Sequence, residues 1–97
     1  MTDPALASTA LESYNRISRS LAALHRERGD LVSASIEARV SGYQQSIAEG
    51  DTVSTARHHA DLASKGLSQE IAKLDGEIDG GNVELRYLDQ LLVHYRG

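Results

Sequence analysis

The chain has 97 residues, a net charge of −4, four Tyr as its only aromatic residues and no Cys. This length suits one domain with a small core. The lack of Cys excludes disulfides, thiolate nucleophiles and Cys-built zinc sites, and the acidic balance argues against wide contact with a nucleic-acid backbone.

The opening Met1-Thr2-Asp3-Pro4 has no basic segment, and no long apolar run follows it. Neither a signal peptide nor a transmembrane span is expected, and the chain reads as a cytoplasmic protein. Asp3 suits a helix N-cap and Pro4 the first helical position. From there Leu6, Ala10, Tyr14, Ile17, Leu21, Leu24, Val32, Ile36, Val40, Tyr43 and Ile47 form an apolar series. Arg28 fills the seam position between Leu24 and Val32. Steps of three and four place these side chains on one helix face, which predicts a helix over about 4–48.

Gly50-Asp51-Thr52 interrupts the series and predicts a turn over about 49–52. Gly50 suits the position just past a helix, and Asp51 or Thr52 suits the N-cap of the next. The second series is Val53, Ala56, Ala60, Ala63, Leu67, Ile71, Leu74, Ile78, Leu85, Leu88, Leu92 and Tyr95, and it predicts a helix over about 53–95. Gly29, Gly42, Gly66 and Gly76 each oppose helix formation by about 1 kcal/mol relative to Ala. Two readings stay open at Gly80-Gly81. Asn82 could cap a third helix from Val83 to Arg96, or Gly81 could sit on the seam opposite Ile17, where a small residue lets two backbones approach.

Folded about Gly50, the two series meet in register. Val40 faces Ala60, Ile36 faces Ala63, Val32 faces Leu67, Leu24 faces Leu74, Leu21 faces Ile78, Tyr14 faces Leu85, Leu11 faces Leu88 and Leu6 faces Leu92. A stutter in each series keeps the faces aligned. Charge agrees: Arg16, Arg19, Arg26 and Arg28 lie across from Asp75, Glu77, Asp79 and Glu84. Opposed flanking charges are how antiparallel coiled-coil helices select a partner. The expected fold is all-α, a coiled-coil-like antiparallel hairpin spanning residues 1–97 as one domain and assembling into a helical bundle.

Chemistry-bearing motifs are sparse. His58 and Asp61 have the helical spacing of two metal ligands, but two are too few for zinc, and His59 points elsewhere on the helix. No metal or other cofactor is expected. Arg28-Gly29-Asp30 spells an adhesion tripeptide in the middle of a helix, where no flexible loop presents it. The sequence holds no nucleophile elbow, P-loop or nucleotide-binding glycine fingerprint. A non-enzymatic role is the expectation. Tyr14, Tyr43 and Tyr95 fall on the seams as buried rings with wet hydroxyls, and Tyr87 falls on the surface.

The leftover apolar residues point to partners. Two helices bury one stripe each, yet Leu11, Leu31, Leu62 and Leu91 lie beside the seams. Toward the termini, Leu6, Leu11, Leu88, Leu91, Leu92 and Tyr95 are expected to form an interface for self-association or for a partner's helix. Arg16, Arg19 and Arg26 are the candidates for contact with an acidic partner. The turn Ala48-Glu49-Gly50-Asp51 lacks the Trp of the small secreted WXG-type hairpins, and the tail signal of that group is missing. Residues 62–78, LASKGLSQEIAKLDGEI, resemble in style small helical proteins of actinobacterial phages. That resemblance implies an accessory or assembly protein. The sequence thus leads to a helical adaptor that binds itself and a protein partner, with an accessory role in nucleic-acid processing as the alternative.

Overall fold

A computed structural model describes residues 4–96, with side chains through His94. Two long helices, α1 (Pro4–Ala48) and α2 (Val53–Arg96), pack against each other as an antiparallel hairpin. Pro4 opens α1 as the sequence predicts, and the proposed cap at Asp3 lies outside the described residues. No helix among the described residues is long and apolar enough to cross a membrane.

The turn is built from two capping motifs in succession. Gly50 has φ of +91°, a conformation that only glycine adopts without strain. Its amide donates to the Ile47 carbonyl at 3.0 Å, and the Asp51 amide donates to the Ser46 carbonyl at 3.1 Å. This pair of bonds is a Schellman motif and satisfies the last carbonyls of α1. Of the two N-cap candidates the structure selects Thr52, whose Oγ1 accepts from the Thr55 amide at 3.2 Å.

At Gly80-Gly81 the structure decides between the two readings, because α2 runs unbroken through both glycines. Asn82 therefore caps no third helix. Gly81 does lie on the seam, in one groove with Ile17, and its nearest neighbour is Leu21: a Cβ added there would stand 2.6 Å from Leu21 Cδ2.

By packing, the chain forms two compact units, each built from a stretch of both helices. The first comprises Met1–Arg26 and Asp75–Gly97. Its described core is Ala10, Leu21, Ile78 and Leu92, with Ile17, Leu24, Leu85 and Leu88 half-buried around it. Large aliphatic side chains fill this seam much as the apolar series predicts.

The second unit, Glu27–Leu74, departs from the prediction. Its buried residues are Ser35, Ser46, Ala56, Ala60, Ser64 and Leu74, and all but Leu74 are small. Ile36, Val40 and Ile47, expected on the α1 seam, are 57%, 49% and 40% exposed. The seam follows Arg28, Leu31, Ser35, Ala38, Gly42 and Ser46 instead, without the expected stutter in α1. Gly42 takes the place assigned to Val40, with its Cα side against Ala60, Ala63 and the His59 carbonyl. The tight turn explains the shift. Four linking residues hold the helices close together beside it, and only Ser, Ala and Gly leave room there.

Candidate interaction surface

Displaced from the seam, the larger apolar residues of α1 form a stripe of their own. Val32, Ile36, Val40, Tyr43 and Ile47 follow one another at steps of four, four, three and four, so they share a face about a third of a turn from the buried one, with Val32 and Tyr43 half-buried and the other three exposed. Beside this stripe runs a shallow open groove lined by Arg39, Val40, Tyr43 and Gln44 of α1 and by Arg57, Ala60 and Asp61 of α2. Arg39 Nη2 donates to Asp61 Oδ1 at 2.8 Å across the groove floor. Both side chains are more than half exposed, so solvent screens the pair and its contribution to stability is small. The groove therefore presents an apolar wall with an ion pair already closed on itself.

On the neighbouring flank, Ser46, Asp51 and His59 meet under the turn. Ser46 Oγ donates to Asp51 Oδ2 at 2.6 Å and lies 2.9 Å from His59 Nδ1. Because the single hydroxyl hydrogen goes to the carboxylate, Oγ accepts from His59, which places a proton on Nδ1. The trio has the residue types of a hydrolytic triad without its geometry. In such a triad the two ring nitrogens serve different partners, whereas here Nδ1 faces both Ser46 and Asp51, the latter at 3.6 Å. Ser46 is also only 2% exposed, so no substrate reaches its oxygen. The network fastens the turn to α2.

The residues singled out from the sequence fare unevenly. Leu6 and Leu11 are exposed at 52% and 44%. Leu88 and Leu91 are half-buried, and the Tyr95 side chain lies outside the described residues. Leu92 is a correction: at 8% exposure it belongs to the core of the first unit and offers nothing to a partner. Pairing across the helix seam consumes it. Nearby, Val83 and Tyr87 are exposed at 62% and 60%, as the off-seam position of Tyr87 predicts.

Arg16, Arg19 and Arg26 are exposed, and none enters the described ion pairs. Arg16 and Glu84 line one groove together with Ser13, Ile17, Tyr87 and Leu88. Of the opposed charges read from the sequence, Arg16 and Glu84 thus share one groove of this unit. No group of three or more His, Asp or Glu among the described residues could hold a metal ion. His58 and His59 have ring centroids 6.3 Å apart, and His59 is engaged by Ser46.

Sequence reasoning overlooked the stripe as a surface because it placed the same residues in the core. The available signal was the run of small residues at Ser35, Ala38, Gly42 and Ser46, which continues the spacing of Leu21, Leu24 and Arg28 without a stutter. The chain matches no family model, no curated protein and no solved structure.

Proposed function

We propose that the protein is a non-enzymatic helical adaptor or assembly factor, which associates with itself and with a protein partner by packing helix against helix. One observation carries this reading: the mismatch between what the hairpin buries and what it leaves wet. Seven apolar residues form the described core, three of them Ala, while ten large apolar side chains are at least 40% exposed. Covering a Leu or Ile contributes about 1.5–3 kcal/mol, so a surface that holds several in helical rows favours another helix as its cover.

The phage-accessory resemblance of residues 62–78 is compatible with such a role.

Solution mass, measured by light scattering over a range of protein and salt concentrations, tests the proposal. Apolar packing predicts an assembly, with itself or with an added partner helix, that persists or tightens as salt rises. A chain that stays monomeric and takes up no hydrophobic helix under any of these conditions would sink it. Exposure of Arg16, Arg19 and Arg26 favours a second reading, an accessory role in nucleic-acid processing. That reading requires binding of a labelled oligonucleotide at low salt which falls steeply with added salt.

A further inference from the structure

The outer stripe of α1 is nearly symmetric about its own middle. Read in either direction from Val40, the next apolar positions are Ile36 or Tyr43, and then Val32 or Ile47. Two copies of this helix laid antiparallel would set Val40 against Val40, Ile36 against Tyr43, and Val32 against Ile47. Such reciprocity, in which residue i meets j and j meets i, is what an interface built on a two-fold axis demands.

The polar surroundings suit the same arrangement. Ser33 and Gln44 flank the stripe without charge. Glu37 would lie beside Tyr43 of the second copy and away from its own equivalent. Arg39 is the α1 charge brought nearest its equivalent at the axis, and each Arg39 is already bound to Asp61 of its own chain at 2.8 Å, with Arg57 of α2 in the same groove. Alternating Arg and Asp side chains across the axis attract where two bare guanidinium groups would repel.

We infer that this face, Val32, Ile36, Val40, Tyr43 and Ile47, is the site at which a second copy of the chain docks, antiparallel and two-fold symmetric about Val40. The inference rests on the helix-packing reading above and gives it a partner and a register. An interface between the second units of two chains would bring four helices together and convert the exposed stripe into a core layer.

The chain has no Cys, so single cysteines report proximity without a background. Val40→Cys should form a disulfide-linked dimer under mild oxidation, since residues at the axis lie within disulfide reach. The rate should exceed that of Leu62→Cys, a residue of similar exposure off the stripe, by roughly 100-fold at tens of micromolar protein, from the millimolar effective concentration within a complex. Ile36→Cys alone should cross-link poorly, whereas a mixture of Ile36→Cys and Tyr43→Cys chains should give the mixed disulfide. Val40→Lys should reduce the solution mass to that of a monomer with helicity retained. Should that variant unfold, the near-isosteric Val40→Cys still decides the matter.

Equal rates for Val40→Cys and Leu62→Cys in a protein that does associate would overturn this site and leave the helix-packing reading standing. Efficient cross-linking of Ile36→Cys alone would overturn the antiparallel arrangement. A wild-type chain that is monomeric yet binds an added helix would remove the second copy and keep the wider proposal. A chain that does neither would remove both.

Discussion

Gly80 and Gly81 are neighbours in one helix, yet substitution by Ala should move stability in opposite directions. In a helix interior Ala is favoured over Gly by about 1 kcal/mol, whatever the position. At Gly80 an added Cβ meets nothing within 4 Å, so that gain stands alone. At Gly81 the Cβ would fall 2.6 Å from Leu21 Cδ2, 3.1 Å from Cγ and 3.5 Å from Cδ1. Leu21 is only 6% exposed and cannot swing clear without vacating the core. Forcing an extra carbon into such a seam costs about 1–3 kcal/mol, which cancels or exceeds the propensity gain.

The two variants should therefore differ by about 1–3 kcal/mol, with Gly80→Ala above wild type and Gly81→Ala level with it or below. For a domain of this size each kcal/mol moves the melting midpoint by about 4–8 °C. Thermal unfolding followed by circular dichroism resolves that difference, provided protein concentration is fixed, since association raises the apparent midpoint. A double-mutant cycle locates the cause: in a Leu21→Ala background the penalty at Gly81→Ala should vanish. If Gly81→Ala stabilised as much as Gly80→Ala, the close approach of α1 and α2 at this point would be refuted.

Four further outcomes follow from the second unit and the turn. Gly42→Ala should forfeit part or all of the propensity gain, because its Cβ would stand 3.3 Å from Ala63 Cβ, a few tenths of an ångström too close, beside the His59 carbonyl at 3.4 Å and Ala60 Cα at 3.5 Å. Most of those atoms are backbone, and urea unfolding should show a lower midpoint than for Gly29→Ala, where space is open. Ser46→Ala should cost about 1–3 kcal/mol, since it removes a buried donor from Asp51 and an acceptor from His59. His59→Ala should cost less, because the ring is 45% exposed and water can replace it. Thr52→Ala should cost about 1 kcal/mol through loss of the cap on the Thr55 amide, and hydrogen exchange should quicken first in the opening turn of α2.

Both helices were legible in the sequence, close to their ends. Pro4, the break at Gly50 and steps of three and four among apolar residues define them, and the observed spans are Pro4–Ala48 and Val53–Arg96. Periodicity is a local property, and a single helix expresses it without reference to its neighbour. Antiparallel pairing was legible too, because a short link between two long helices allows little else. The core of the first unit followed, as Ala10, Leu21, Ile78 and Leu92 all stand at the seam spacing of the two apolar series.

The candidate surface was not legible, and the reason is specific. In the second half of α1 two stripes compete: Val32, Ile36, Val40, Tyr43 and Ile47 on one face, and Ser35, Ala38, Gly42 and Ser46 about a third of a turn away. Hydropathy ranks the first stripe as core. The separation between helices ranks the second, because near a four-residue turn only small side chains fit. Sequence alone determined that there are two helices and where they end. Tertiary structure decided which face of α1 meets α2, since that choice turns on the distance between backbones, which no single helix encodes. It thereby turned the expected core residues Ile36, Val40 and Ile47 into the surface on which the proposed function rests.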